Sequence, residues 1–295
     1  MRQTTILLLA FLASSFAAAQ SHLDSELARI MDGRKGTAVV LDMKKDKIIA
    51  AYHPDVAARR LALPGSTVKT FTLLALIQSG KVRSDEKFVC RRDVYVGKVN
   101  LSCSHPQTGQ PLDAISALAY SCNDYFTHMA TRLTGEELRT AFVGAGLVSP
   151  TKLLPNEATG SVQLTETVEQ RQLQAIGEFG IKVTPLELLE AYRARAMRFS
   201  ISSVSLGESR VLGGLEAATD YGMARLAQPK GLRIAGKTGT SRAEEGPWTH
   251  GWFVGWAPAT QPKIALVVFL ERGTGPADAA PLAAQILQAW MAEPR

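Results

Sequence analysis

Three short groups of residues in this chain have the types and spacing that serine-based catalysis needs. In the first, Ser66 and Lys69 stand three residues apart, so on a helix they share one face and an amine lies beside a hydroxyl. The other two are Ser121-Cys122-Asn123 and Lys237-Thr238-Gly239-Thr240. A hydroxyl that attacks a carbonyl carbon needs a neighbouring base and donors for the anion that forms, and these residue types can supply both.

The Ser-x-x-Lys pattern is weak evidence by itself, because average residue usage produces it by chance roughly once in a few hundred residues. The chain has copies at Ser66/Lys69, Ser84/Lys87 and Ser149/Lys152. The last two lie in polar connecting segments, which predicts solvated loops. Only Ser66 begins a nearly all-apolar stretch, ending at Gln78, and such a stretch predicts a buried helix whose first amides favour negative charge.

The pattern of predicted elements indicates a mixed α/β (α+β) fold. Thr37 to Met43 and Lys47 to His53 predict a β-hairpin, and helical patterns predominate from about residue 66 to residue 200. Further predicted elements are helices over Leu112 to His128, Thr134 to Val143 and Thr184 to Met197, a short helix after Gly214, strands over Leu232 to Ser241, Gly251 to Trp256 and Lys263 to Glu271, and a helix over Pro281 to Met291. We therefore expect a mostly antiparallel sheet of about five strands, built from residues 37–53 and 232–271, with helices on both faces and an all-helical part.

Composition and charge exclude several classes of protein. With 46% hydrophobic and 20% charged residues, the 295-residue chain has the composition of a folded globular protein. Its net charge of +6 is spread along the chain, which argues against nucleic acid as a partner. The sequence has no Gly-x-Ser-x-Gly, His-Glu-x-x-His, phosphate-loop or dinucleotide-binding motif, and its histidines lack metal-ligand spacing. We expect no metal and no cofactor.

Residues 1–19 predict a secretory signal peptide. Arg2 precedes an apolar segment from Ile6 to Phe16, and Ala17-Ala18-Ala19 offers a small-residue cleavage site, so the mature chain would begin at Gln20. The apolar segment is short for a membrane span, which favours cleavage over retention as an anchor. We therefore expect one domain over residues 20–295, located in the periplasm or outside the cell, with no stable membrane span after cleavage.

Export would place the three cysteines in a compartment where disulfides persist. Cys90 and Cys103 flank a turn-rich segment and could close a small loop, which would leave Cys122 as a free thiol within the predicted helix. Unpaired thiols are an equal alternative. A zinc site of Cys90, Cys103 and His105 would need a fourth ligand that the sequence does not identify.

The order and setting of the three chemical groups resemble those of the penicillin-binding protein transpeptidases and their relatives, the serine β-lactamases. The resemblance extends beyond the triplets, to Leu63 to Lys69, Ala119 to Asn123, Leu154 to Gly160, Val183 to Leu188, Gly236 to Thr240 and Gly251 to Gly255. It covers nearly the whole chain from Thr37 to the last helix. It implies a β-lactamase/transpeptidase-like fold.

The resemblance also implies a catalytic role for each motif. Ser66 would attack a carbonyl carbon, and Lys69 in its neutral form would accept the serine proton. Ser121 would relay a proton to the leaving amine. The backbone N–H groups of Ser66 and Thr240 would form the oxyanion hole.

The same resemblance implies how substrate is held. Asn123 would bind the amide of the substrate, while Lys237, Thr238, Gly239 and Thr240 would line a strand edge that binds a terminal carboxylate. An extended peptide stem would pair with that edge. The implied partners are peptidoglycan stem peptides and β-lactams, which would bind covalently to Ser66.

The branch of the family depends on the fate of the acyl-enzyme. A β-lactamase activates water with a positioned Glu or a carboxylated Lys, and Glu157 is the most tempting Glu in this chain. It lies in a stretch similar to transpeptidases, however, so we expect a structural role for it. The sequence therefore favours a peptidoglycan D,D-transpeptidase or D,D-carboxypeptidase, with a serine β-lactamase and an acylation-only β-lactam-binding module as alternatives.

Overall fold

A five-stranded antiparallel sheet lies at the centre of the molecule and takes its strands from both ends of the chain. The structure is a computed structural model that describes residues 22–83, 85–200 and 204–293. In chain order the strands are β1 (Gly36–Asp42), β2 (Lys47–Tyr52), β3 (Tyr95–Val96), β4 (Val99–Asn100), β5 (Ser161–Val162), β6 (Ile181–Lys182), β7 (Ala235–Arg242), β8 (Thr249–Ala257) and β9 (Ile264–Leu270). The main sheet has the order β2-β1-β9-β8-β7, which confirms the predicted antiparallel sheet of about five strands.

Helices cover both faces of this sheet, as predicted. In chain order they are α1 (His22–Met31), α2 (Pro54–Arg59), α3 (Lys69–Gln78), α4 (Ala114–Ala119), α5 (Asn123–Ala130), α6 (Gly135–Gly144), α7 (Val168–Ala175), α8 (Pro185–Phe199), α9 (Leu206–Asp220) and α10 (Ala280–Ala292). Successive residues of a strand point to opposite faces. Val267 and Phe269 of β9 accordingly join the core shared with α3 and α8, whereas Leu266 and Val268 join the core shared with α1 and α10. Every residue of β9 is therefore buried and apolar.

The region between the two halves of the sheet is mainly helical and surrounds α3. Eight consecutive residues of α3, from Lys69 to Leu76, are buried, and the helix packs against α4, α5, α6 and α9. This confirms the expectation of a buried helix after Ser66. The region also contains a short hairpin, β3–β4, and a two-stranded antiparallel sheet, β5–β6, that the sequence analysis did not predict.

The prediction of one helix over residues 112–128 was wrong in a respect that matters for the site. The segment forms two helices, α4 and α5, separated by a turn at Tyr120 to Cys122. Ser121 in this turn has a left-handed backbone (φ 54°), and the extended Cys122 is the N-cap of α5. Because apolar residues continue at helical spacing across the turn, periodicity did not reveal the break.

One further boundary differs from the prediction. The short helix expected after Gly214 is the second half of α9, which begins at Leu206. Ser205 and Glu208 form a capping box at its start, a signal that the sequence analysis did not use.

The described residues include no helix that is both long enough and apolar enough to span a membrane. The signal peptide expected at residues 1–19 lies outside the described residues.

Candidate active site

A short 3₁₀ turn over Gly65–Val68 presents Ser66 at the start of α3. Gly65 has a left-handed backbone (φ 53°), and a Cβ there would lie 2.5 Å from the carbonyl oxygen of Thr240 on β7. Tyr192 Oη donates to Thr67 O at 2.7 Å, which fixes the turn from the side of α8. The half-buried Ser66 is therefore held between the outer strand of the sheet and the central helix.

Two buried lysines converge on Ser121. Lys69 Nζ donates to Ser121 O at 2.8 Å and to Ser121 Oγ at 3.3 Å, while Lys237 Nζ lies 2.9 Å from the same Oγ. Both lysine side chains are fully buried. The left-handed backbone of Ser121 directs both its carbonyl and its hydroxyl towards Lys69. The structure thus brings the Ser-x-x-Lys, Ser-x-Asn and Lys-Thr-Gly residues together.

Asn123 completes this polar group. Its Oδ1 accepts a hydrogen bond from Lys69 Nζ at 2.5 Å, and its Nδ2 donates to Leu101 O at 2.8 Å. The amide is oriented by these two partners. In the described part of the chain, the hydrogen bonds of Lys69 Nζ all go to Ser121 and Asn123, and none goes to Ser66 Oγ.

The Lys237 to Thr240 segment lies on β7, the outermost strand of the main sheet. A Cβ at Gly239 would lie 2.7 Å from Pro64 O and 2.8 Å from Thr67 Cγ2, so only glycine lets the strand approach the Ser66 turn this closely. Thr240 Oγ1 accepts from Gly275 N at 3.0 Å. The strand edge and the serine therefore face one cleft.

Burial of the two lysines lowers both of their pKa values. Burial lowers the pKa of Lys69 to about 8, although the nearby Cys103, Cys122 and Glu178 partly oppose that shift. The pKa of Lys237 lies well below its usual value, first because of burial and then because of the charge on Lys69. No carboxylate among the described residues forms a salt bridge with either lysine. A neutral amine is therefore accessible in this site near neutral pH, which is what a lysine base requires.

The cleft itself has a volume of about 110 Å³. Its lining consists of Ser66, Ser104, Ser121, Asn123, Met223, Thr238, Gly239, Thr240 and Pro276. Sequence analysis missed Ser104 and Met223, which come from connecting segments without a motif, and Pro276, which lies in a short helical turn over Gly275–Ala279. A larger cavity of about 530 Å³ lies at the far end of β7 beside Glu178 and Arg242, but the predicted catalytic residues do not line it.

The other Ser-x-x-Lys copies have no such setting. Ser149 and Lys152 are exposed, as expected for a solvated loop. Lys87 is exposed and pairs with Asp113 at 3.1 Å, while Ser84 lies outside the described residues. Glu157 accepts hydrogen bonds from the backbone N–H groups of residues 151, 152 and 154, which agrees with the structural role expected for it.

The cysteines are close together but unpaired. Cys90 and Cys103 have their sulfur atoms 3.7 Å apart, and all three cysteines are free thiols, so the disulfide alternative is not what the structure contains. Cys122 does not lie within a helix as expected but caps the start of α5. It stands directly between Ser121 and Asn123.

Comparisons with known proteins agree with this geometry. The family described as "Penicillin binding protein transpeptidase domain" matches residues 36–291. The chain is 25% identical to stage V sporulation protein D of Bacillus subtilis, over 92% of this chain and 50% of that protein. It is 26% identical to the peptidoglycan D,D-transpeptidase PbpA of Mycobacterium tuberculosis, over 77% of this chain and 54% of that protein. It thus spans about half the length of these curated relatives.

Among solved structures, the fold is similar to that of Pseudomonas aeruginosa PBP2 in complex with WCK 5153. The TM-score is 0.77 at 21% identity, over 92% of this chain and 77% of that one. At this identity the similarity establishes the fold.

Proposed function

This chain belongs to the penicillin-binding protein transpeptidase domain family, and from that premise we propose that it is a serine D,D-transpeptidase or D,D-carboxypeptidase acting on peptidoglycan stem peptides. The observation that carries the proposal is the convergence of Lys69 and Lys237 on Ser121 Oγ, in the cleft that Ser66 lines. The name of the Mycobacterium tuberculosis relative supports the same activity.

Acylation uses Ser66, Lys69 and Ser121. Ser66 Oγ forms a bond to the carbonyl carbon of the last amide of the stem peptide, and the C–N bond of that amide breaks. The serine proton passes to the neutral amine of Lys69, and Ser121 Oγ, which lies 3.3 Å from Lys69 Nζ, relays a proton to the leaving nitrogen. The acyl group then transfers to an acceptor amine or to water, which regenerates the Ser66 hydroxyl.

Binding of the substrate carboxylate helps to create this base. A carboxylate at Lys237, Thr238 and Thr240 favours the ammonium form of Lys237. The resulting positive charge disfavours a second charge on Lys69, which shares Ser121 Oγ with it. Substrate binding therefore drives Lys69 towards the neutral form that accepts the serine proton.

We further propose that residues 20–295 form one transpeptidase domain that acts outside the cytoplasmic membrane after the signal peptide at residues 1–19 is removed. The family match over residues 36–291 supports the extent of this domain. Peptidoglycan is outside that membrane, which supports the location.

The test is to mix the protein with benzylpenicillin and to monitor the intact mass of the protein over minutes to hours for a covalent adduct. We expect a lasting mass increase of one penicillin per chain, its loss in Ser66→Ala, and its retention in the matched control Ser149→Ala, because Ser149 is exposed in a Ser-x-x-Lys copy away from the cleft. An adduct that persists in Ser66→Ala would refute the nucleophile assignment. Rapid return to the free mass with consumption of the drug would indicate a β-lactamase, and a wild-type chain without any adduct would indicate a binding module.

A further inference from the structure

Four side chains with metal-binding atoms that the proposed reaction does not use meet beside the cleft. Cys90, Cys103, His105 and Cys122 each direct one sulfur or nitrogen atom to a common point, and these atoms all lie within 4.8 Å of one another. Cys103, His105 and Cys122 are buried, while Cys90 is half-buried. Three thiols and one imidazole are the donor set of a common class of structural zinc site.

The distances between these atoms fit one tetrahedral ion. Zn–S bonds of about 2.3 Å place two sulfur ligands about 3.8 Å apart, and a sulfur and a nitrogen ligand about 3.6 Å apart. The Sγ atoms of Cys90 and Cys103 lie 3.7 Å apart, those of Cys103 and Cys122 lie 3.8 Å apart, and Cys90 Sγ lies 3.6 Å from the ring nitrogen of His105. The remaining pairs need to close by at most about 1.2 Å to complete the tetrahedron.

The ring of His105 is already in the tautomer that a metal ligand needs. Its Nδ1 lies 2.8 Å from the carbonyl oxygen of Pro106, which can only accept, so Nδ1 carries the proton. The lone pair of Nε2 is therefore free and faces Cys90 Sγ. Histidine ligands in proteins are usually held in this way, by a carboxylate, a backbone carbonyl or a water on the nitrogen that does not bind the metal.

The surrounding backbone is arranged to hold thiolates. The N–H of Asp124 lies 3.5 Å from Cys103 Sγ, and that of Tyr125 lies 3.4 Å from Cys122 Sγ at the start of α5. Both N–H groups and the positive end of the helix dipole stabilise negative charge on sulfur. The guanidinium of Arg92 donates to the backbone carbonyls of Cys103 and His105, which fixes the segment between them.

We propose that Cys90, Cys103, His105 and Cys122 bind one zinc ion in a closed structural site. All four tetrahedral positions are filled by protein ligands, so the ion has no open position for water or substrate and takes no part in the chemistry at Ser66. The fourth ligand that the sequence did not reveal is Cys122. It reaches the cluster because it caps α5 instead of lying inside a continuous helix.

The site would join the metal to the catalytic turn. Cys122 lies between Ser121 and Asn123, whose side chains contact Lys69. A zinc–sulfur bond at Cys122 would hold the left-handed backbone of Ser121, a conformation that is unfavourable for a non-glycine residue. This effect on catalysis, unlike the metal site itself, rests on the proposed function.

The experiment measures zinc on the purified protein. The chain is reduced without oxygen, its three free thiols are verified, and it is dialysed against zinc chloride and then against metal-free buffer. We expect one zinc ion per chain by elemental mass spectrometry. The variants Cys90→Ser and His105→Ala should lose at least tenfold in zinc affinity, whereas the matched control His22→Ala, at an exposed histidine, should bind zinc like the wild type.

Cobalt binding provides a second test, which uses the wild-type chain and so does not depend on whether a variant folds. Co²⁺ in place of zinc should show the intense visible bands of a tetrahedral site together with sulfur-to-metal charge transfer in the near ultraviolet. A reduced wild-type chain that retains no zinc and lacks these bands would overturn the proposal, as would variants that bind zinc like the wild type.

The metal and the reaction can be separated in the same samples. If the zinc site holds and the reaction is as proposed, removal of zinc should slow acylation by benzylpenicillin at least fivefold. A chain that binds zinc but never forms the adduct would retain the metal site and reject the proposed function. A chain that forms the adduct without binding zinc would support the proposed function and reject the metal site.

Discussion

Replacement of Lys237 by alanine tests whether this buried amine binds the substrate carboxylate. Lys237 is fully buried next to two residues that line the cleft, because its Nζ contacts Ser121 Oγ at 2.9 Å and Thr238 O at 3.0 Å. Both of these partners remain in Lys237→Ala. The expected loss is therefore that of the charged hydrogen bond to the ligand, together with a smaller effect on the position of Ser121.

The magnitude follows from the burial of the amine. Truncation of one partner of a buried, hydrogen-bonded charge pair costs about 2–5 kcal/mol. The hydroxyls of Thr238 and Thr240 still face the cleft and can donate to a carboxylate, which places the cost near the lower end, at about 2–3 kcal/mol. The second-order rate constant for acylation by benzylpenicillin should therefore fall roughly 30- to 150-fold.

The assay compares a ligand that carries the carboxylate with its methyl ester, in which that charge is removed. Acylation rates are measured for benzylpenicillin and for its methyl ester, with wild-type protein and with Lys237→Ala. Since the ester retains a neutral acceptor, its rate should fall about fivefold or less. Equal losses for both ligands would refute carboxylate binding by Lys237 and would assign the residue to the positioning of Ser121.

Two further predictions concern the base and the close packing around Ser66. Lys69 must be neutral to act as the base, and its pKa is lowered to about 8. The acylation rate should therefore rise with pH to a midpoint near 8 and fall about tenfold for each pH unit below it. A flat profile from pH 6 to 9 would contradict a lysine base. Gly239→Ala would place a Cβ against Pro64 O, so it should lower the free energy of unfolding by about 1–3 kcal/mol and slow acylation. Both effects are measured against Gly144→Ala, whose Cβ would meet no atom of the described residues within 4 Å. Unchanged stability and rate in Gly239→Ala would show that the strand does not need this close approach.

The sheet could be predicted from the sequence because its strands carry strong local signals. Ile264–Leu270 is entirely apolar and β-rich, and the hairpin Gly36–Tyr52 has a polar turn between two β-rich runs. The buried helix after Ser66 was predictable for the same reason. These elements place the serine and the Lys-Thr-Gly strand, so much of the candidate site followed from short motifs on well-marked elements.

The rest of the site depends on contacts between segments that are distant in sequence. The left-handed Ser121 interrupts an apolar pattern that continues on both sides, so local periodicity predicted one helix. The fourth ligand of the cluster, Cys122, was hidden by that same error. Ser104 and Met223 reach the cleft from connecting segments, and no residue pattern distinguishes them from other loop residues.

The turn at Ser121 explains why the proposed catalytic residues and the proposed zinc ligands lie next to each other. A continuous helix would bury Ser121 and Cys122 on different sides, about 100° apart, and neither lysine could share the serine hydroxyl. The break instead turns Ser121 towards Lys69 and Lys237, and it frees Cys122 to start a new helix with its sulfur among Cys90, Cys103 and His105. Two buried amines that pair with no carboxylate among the described residues, and one left-handed serine, all cost stability, so an additional attachment would stabilise this turn. A zinc ion bound through Cys122 would supply that attachment at the residue between the two that contact Lys69.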